Sequence, residues 1–398
     1  MSLNSTPLAQ RTHIGFFGRT NTGKSSIVNA VTGQNIALVS NIEGTTTDPV
    51  FKSMELLPLG PVTIIDTAGF DDKSELGALR IEKTKEVLIK TDIAVLVVDA
   101  TVGLTPIDEE LVSIFKEKDI AYVVAYNKAD LINKIPENTN NSIYVSALNG
   151  TNIFELKEKI ASFSVKKDNE PVLVKDIVKA NDKVIMVTPI DASAPKGRII
   201  LPQQQVLREL LEVGAITTVV KETELEETLK YVTPKLVITD SQVFGKVDAI
   251  LPKNVLLTSF SILFARYKGV LNLAVKGVKK VDELKDNDTI LISEGCTHHR
   301  QCEDIGTVKI PKWLKEYTCK DLNFEFTSGG TFPNDLSKYA MVIHCGGCTL
   351  KEQEVINRYS ISQQQSISIT NYGTTIAYLH NILKRSVEVF PDIYSFLE

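Results

Sequence analysis

The chain has 398 residues, 43% of them hydrophobic and 23% charged, with a formal net charge of -5. At about 100–200 residues per domain this is a folded protein of two to four domains, which excludes intrinsic disorder as its main state. The longest apolar runs fall far short of the roughly 20 residues that a bilayer span needs, so no membrane partner is expected. The acidic balance argues against broad nucleic-acid binding. The polar start, Met1 to His13, has no apolar segment of a secretory signal, and the expected place is the cytoplasm.

From His13 to about Ser164, short β-branched runs over 14–17, 62–65, 93–98, 121–125 and 143–145 alternate with amphipathic stretches over 83–90 and 109–118. That alternation predicts βαβ units around a mostly parallel sheet. The charged, proline-bearing run 166–171 reads as a linker, so a first domain is expected over 1–166. The pattern then restarts, with strands over 183–187, 216–220 and 236–239 and helices over 203–213 and 224–232. This second domain, 167–263, carries no polar constellation that suggests chemistry. An open sheet edge there suits pairing with a second copy, and a plain structural role is the alternative. In the third domain, 264–398, strands over 288–293 and 340–344 each run into cysteines, and a helix is predicted over 350–358.

Gly18-Arg19-Thr20-Asn21-Thr22-Gly23-Lys24-Ser25 follows the first strand and precedes a helical stretch that starts at Ser26, the context that a phosphate-binding P-loop requires. Its glycines let backbone N–H groups curl around phosphates, Lys24 reaches the β- and γ-phosphates, and the Ser25 hydroxyl holds Mg²⁺. Asp66-Thr67-Ala68-Gly69 follows the next strand, so Asp66 can hold Mg²⁺ through water and the Gly69 amide can sense the γ-phosphate. Asn127-Lys128-Ala129-Asp130 places a carboxylate that accepts hydrogen bonds from guanine N1 and N2, a donor pair that adenine lacks. Ser146-Ala147-Leu148 brings a backbone amide toward guanine O6. The four motifs in this order read as a GTP/GDP site. The expected fold class is therefore α/β, a P-loop GTPase domain with a parallel sheet followed by two smaller α/β domains.

These residues resemble the translation-factor-like GTPases, in the branch of tRNA-modification and ribosome-assembly GTPases. The resemblance implies a switch at Gly44-Thr45-Thr46-Thr47-Asp48 in which Thr46 contacts Mg²⁺ and the γ-phosphate. It also implies K⁺ at Asn21, doing the work of an arginine finger. Phe70 stands where many small GTPases carry a water-orienting glutamine. An apolar side chain cannot orient water, so slow hydrolysis without partners is expected; Asp71, Asp72 and Glu75 read as solvated loop charges.

All five cysteines, Cys296, Cys302, Cys319, Cys345 and Cys348, lie in the last third of the chain, beside His298, His299 and His344. Cys296-Thr297-His298 and His344-Cys345-Gly346-Gly347-Cys348 offer three thiolates and two imidazoles. Their spacing fits structural zinc, an iron–sulfur cluster or unmetallated thiols. This cysteine pattern behind a GTPase domain and a middle α/β domain resembles the [FeFe]-hydrogenase maturation GTPase family. The flanking His299-Arg300 and Thr370-Asn371-Tyr372-Gly373 resemble it too.

The resemblance implies a [4Fe-4S] cluster on Cys296, Cys345 and Cys348, with His298 and His344 each as fourth ligand or hydrogen-bond donor, the donor role favoured for His344. It implies a homodimer through the middle domain. It further implies a scaffold that receives a transient two-iron precursor from two radical-SAM maturation enzymes and delivers it to the [FeFe]-hydrogenase catalytic subunit. The rival readings are a tRNA-modification-type GTPase with a structural zinc site and a redox-sensing GTP switch. Cys302 and Cys319 are expected to be buried small hydrophobes, His299 and Arg300 a polar rim, His380 a packing histidine in an apolar helical run over 375–383, and His13 a strand-edge residue.

Overall fold

The computed structural model describes residues 11–34, 50–67, 87–163, 172–190, 199–295 and 304–397. The chain divides into two compact units, Met1–Asn169 and Glu170–Glu398. None of the helices among the described residues is long and apolar enough to cross a membrane.

The first unit is built on strands β1 (Thr12–Gly18), β2 (Val50–Leu56), β3 (Gly60–Asp66), β4 (Ile93–Asp99), β5 (Ala121–Asn127) and β6 (Ser142–Tyr144). They form one sheet in the order β2-β3-β1-β4-β5-β6, parallel throughout except for the antiparallel β2–β3 pair. Strands such as β4 read as unbroken apolar runs because both faces of the sheet are covered. Ile14, Phe16, Ile64, Val95 and Val123 point to one face and pack with Ile27 and Val31 of the helix Lys24–Thr32 and Leu156 and Ile160 of the helix Ile153–Phe163. Phe17, Ile65, Leu96 and Val124 point to the other, against Leu111 and Phe115 of the helix Pro106–Glu117.

Two expectations change here. Strand β2 was not anticipated, because an edge strand with exposed Val50 and Phe51 and interleaved Lys52 and Glu55 has no apolar run. His13 does not lie at an edge. Strand β1 is flanked by β3 and β4, and His13 is buried, its amide donating to Asp92 at 2.7 Å. The predicted linker lies outside the described residues, as do residues 83–86 of the predicted helix.

The second unit holds two four-stranded sheets, both wholly parallel. One is ordered β10-β9-β7-β8, with β7 (Lys183–Val187), β8 (Ile216–Val220), β9 (Leu236–Thr239) and β10 (Leu256–Ser259). The other is ordered β12-β11-β13-β14, with β11 (Thr289–Ser293), β12 (Asn323–Thr327), β13 (Met341–His344) and β14 (Ser368–Asn371). A single apolar core runs under both, from Leu173 to Phe390.

The helix expected over 224–232 is one turn, Leu225–Thr228. The run over 375–383 divides into Tyr372–Leu379 and Leu383–Val387, with Asn381 in the left-handed region between them. His380 is accordingly exposed, its ring edge-on to Trp313 at 5.6 Å. Cys319 is also exposed, capping the helix Ile310–Thr318 in a left-handed conformation, and is no buried hydrophobe.

The helix Leu271–Gly277 packs so tightly on β14 that a Cβ at Gly277 would lie 2.0 Å from the Ile369 carbonyl oxygen. Gly277→Ala is therefore expected to destabilise the second unit by about 1–3 kcal/mol through overpacking. Urea unfolding checks this, and an unchanged midpoint would contradict the contact.

Candidate functional site

The first site gathers at the carboxyl ends of β1, β3 and β5. The chain leaves β1 pressed against β4, since a Cβ at Gly18 would lie 2.6 Å from the Val97 carbonyl oxygen. Asn21 and Gly23 both have positive φ, and a Cβ at Gly23 would meet the Asn127 amide nitrogen at 2.2 Å. Between them Thr22 is buried, its hydroxyl donating to the Arg19 carbonyl at 2.9 Å. The helix Lys24–Thr32 starts at once, with no side-chain cap on its first-turn amides, the arrangement that receives an anion. Ser25 and Ser26 stand half-buried in that first turn, and Lys24 Nζ pairs with the buried Asp66 carboxylate at the end of β3.

Asn127 joins the loops. Its Nδ2 donates to the Thr22 carbonyl at 3.0 Å, and its Oδ1 accepts from the Ala147 amide at 3.1 Å. The Ala147 amide, expected to face guanine O6, is thus donated to Asn127. Lys128, at positive φ, donates to the Asn21 carbonyl at 2.8 Å and to Asp99 at 2.6 Å. Burial works against charge on Asp99, yet hydrogen bonds from Lys128 and Thr101 hold its carboxyl below the usual range. Asp130 is exposed and accepts from the hydroxyl of the buried Ser146.

All the predicted nucleotide residues that the structure describes therefore meet on one edge. Thr46, Gly69, Phe70, Asp71, Asp72 and Glu75 lie outside the described residues. Asp108 is an addition. It is fully buried, caps its own helix through Thr105, and accepts from Arg19 Nε at 3.2 Å, tying the P-loop to the helix Pro106–Glu117. The Thr105-Pro106-Ile107-Asp108 capping box was its legible signal.

The second site sits where strand order reverses, between β11 and β13, the position at which open α/β sheets form a crevice. Ser293 and His344 are register partners at the ends of those strands. Just beyond, Cys345 Sγ accepts the Gly295 amide at 3.0 Å and the Gly347 amide at 3.3 Å. Gly347 has φ +61, and a Cβ there would press Val355 at 3.0 Å. Burial pushes the Cys345 thiol up, and burial followed by the neighbouring Cys345 pushes Cys348 up to about 11.

His344 is 1% exposed. Its Nδ1 lies 2.6 Å from the Cys345 carbonyl oxygen and its Nε2 3.1 Å from Arg358. Burial, and then the Arg358 guanidinium, push it down to about 3, so the ring is neutral, with Nδ1–H donating and Nε2 accepting. Both nitrogens are engaged. Arg358, itself buried, also donates to Ser293 Oγ at 3.3 Å, the Gly329 carbonyl at 2.7 Å and Glu354 at 3.4 Å.

Cys345, Cys348 and His344 are thus brought together, whereas Cys296, His298, His299, Arg300 and Cys302 lie outside the described residues. Among the described residues no group of three His, Cys, Asp or Glu side chains is placed to hold a metal ion. The two amides aimed at Cys345 Sγ nevertheless fit a thiolate ligand, whose negative charge such donors favour. Arg358 was not visible in sequence, because a lone arginine in a helical stretch carries no motif.

Comparison with known proteins follows this division. Residues 13–128 match the 50S ribosome-binding GTPase family model. Residues 173–269 match the hydrogen maturase F dimerization domain and residues 272–389 its tetramerization domain, so two models of one family together cover more than half of the chain. The chain belongs to the hydrogen maturase F family.

The GTPase part of this family member has wider relatives. GTPase Der of Kosmotoga olearia is 32% identical over 174 residues, 39% of this chain and 39% of that protein. The tRNA modification GTPase MnmE of Clostridioides difficile is 36% identical over 168 residues, 39% of this chain and 36% of that protein. The chain spans well under half the length of these curated relatives. A crystal structure of a probable GTP-binding protein engB aligns with 38% of this chain and 98% of its own at 27% identity and a TM-score of 0.32. The first unit of this maturase-family chain is a P-loop GTPase domain.

Because Asn127 holds two loops at once, Asn127→Ala is expected to weaken GDP binding by about 1–3 kcal/mol, roughly five- to 150-fold in Kd. Titration with a fluorescent GDP analogue measures this, and an unchanged Kd would show that the loops hold without it.

Proposed function

We propose that the chain is a GTPase and an iron–sulfur scaffold that carries the two-iron subcluster precursor to the [FeFe]-hydrogenase catalytic subunit, the precursor being supplied by two radical-SAM maturation enzymes. The observation that carries this reading is the Cys345–Cys348 turn at a sheet's switch point, its thiol met by two amides, in a chain that also bears a nucleotide edge.

In this reading the P-loop amides and Lys24 bind the β- and γ-phosphates of GTP, and Asp130 selects guanine. Ser25 and Thr46 hold Mg²⁺ directly, Asp66 holds it through water, and Asn21 holds K⁺. Mg²⁺ and K⁺ supply neutralisation of the charge that spreads over the transferred phosphoryl group. With Phe70 after the Asp66–Gly69 motif, turnover is slow without partners. GTP acts as a switch on partner binding or release and does not drive the cluster chemistry.

Cys296, Cys345 and Cys348 hold a [4Fe-4S] cluster, and three thiolates leave one iron position exchangeable for cargo, with His298 as fourth ligand or hydrogen-bond donor. His344, both of whose nitrogens are engaged, positions Cys345. The three parts 1–166, 167–263 and 264–398 divide nucleotide binding, homodimer formation and cluster binding. The protein works in the cytoplasm.

Anaerobic reconstitution with iron and sulfide, followed by electron paramagnetic resonance of the reduced protein, tests this. A [4Fe-4S] signal lost in Cys345→Ser is expected; tight zinc and no cluster signal would overturn the reading. Lys24→Ala should abolish GTP turnover while the cluster signal persists, and loss of the cluster in that variant would sink the separation into two modules.

A further inference from the structure

Among the described residues, Lys268 is a buried charge outside the residues assigned so far that has no carboxylate at ion-pair distance. Lys268 ends the helix Phe260–Tyr267, and Gly269, at φ +70, turns the chain away there. The lysine side chain runs inward and is 4% exposed. Its Nζ donates to the Leu350 carbonyl at 2.7 Å, two residues past Cys348 in the cysteine turn. Among the described residues no carboxylate lies within ion-pair distance of it. Arg358, another buried cation near this turn, has the Glu354 carboxylate at 3.4 Å. The groups acting on Lys268 from a distance are Glu352, Cys348 and Glu354, which favour its charge, and Lys351, which opposes it.

An ammonium buried with the Tyr267 ring at 5.8 Å but no carboxylate at ion-pair distance is a burden on folding unless an anion shares the site. The carbonyl of Leu350 meets one N–H but supplies no charge. The turn that Lys268 touches carries Cys345 and Cys348, and a cluster held by thiolates is a net anion that becomes more negative on reduction.

We propose that Lys268 is the charge-compensating residue of the cysteine turn: its ammonium offsets the negative charge of the thiolate-bound cluster and thereby sets the cluster's reduction potential. This rests on the scaffold reading above. Lys268 acts through the charge of the turn and is a positioning residue in electrostatic terms. A cation beside the cluster stabilises the reduced form more than the oxidised form, so its removal must move the potential to more negative values.

The test uses the full chain, reconstituted with iron and sulfide, as wild type, Lys268→Met and Lys268→Gln. Glutamine keeps a donor for the Leu350 carbonyl but not the charge. Redox titration followed by electron paramagnetic resonance should give a more negative midpoint potential for both variants. Thermal unfolding of the metal-free proteins should show the variants at least as stable as wild type, because an uncompensated charge has been removed. After reconstitution the order should reverse.

A glutamine variant with the wild-type potential would overturn the inference and leave Lys268 a hydrogen-bonding strut. So would a loss of stability that is equal with and without the cluster. Wild-type protein that forms no cluster at all would instead overturn the scaffold reading on which the inference stands.

Discussion

A parallel ladder runs every strand in one direction, so the loops that leave the carboxyl ends of β1, β3 and β5 are forced to one edge, and those that leave β11 and β13 to another. Segments far apart in sequence are delivered to one place by this constraint alone. Gly18 and Asp66 end adjacent strands, as do Ser293 and His344, and the chemistry-bearing residues follow within a few positions. Parallel strands also need crossover helices, and these cover both faces of the first sheet, leaving loops rather than faces as the exposed functional surface.

Delivery is not enough, and the two sites use different means of holding their loops still. In the first unit a neutral side chain does it: Asn127 donates to Thr22 and accepts from Ala147, while Lys128 and Arg19 add ties to Asp99 and Asp108. The close approach that makes this workable is the missing side chain of Gly23. In the second unit a buried guanidinium does it. Arg358 reaches Ser293, His344, Gly329 and Glu354, so one residue braces the ends of both β11 and β13 and keeps the His344 ring in a fixed tautomer. The brace stands behind Cys345, and its own charge is matched by Glu354.

What was legible in the sequence was whatever depends on neighbours in the chain. Strands β4, β7 and β9 stood out because they are mostly apolar runs, β8 because every residue in it is β-branched, and the nucleotide motifs because their spacing is set by one turn of loop. Strand β2 was missed because its outer face is polar, and β10 and β14 because four residues are too few to show a period. Strand β12, Asn323–Thr327, alternates but is half-exposed at a sheet edge. Lys268 and Arg358 were not legible as site residues, and of Asp108 only the capping box was, since the Arg19–Asp108 and Lys268–Leu350 contacts join residues 89 and 82 positions apart. His380 was misjudged for a local reason: the apolar run around it is broken by the left-handed Asn381, and the ring is turned out to the surface.

The two sheets of the second unit rest on a single apolar core, although they match separate family models. A shared core removes the option of independent melting. Loss of order in either sheet strips apolar surface from the other, so the strands over 183–259 and those that lead to Cys345 rise and fall as one cooperative body. A substitution in the core beneath either sheet therefore strains the other through packing alone.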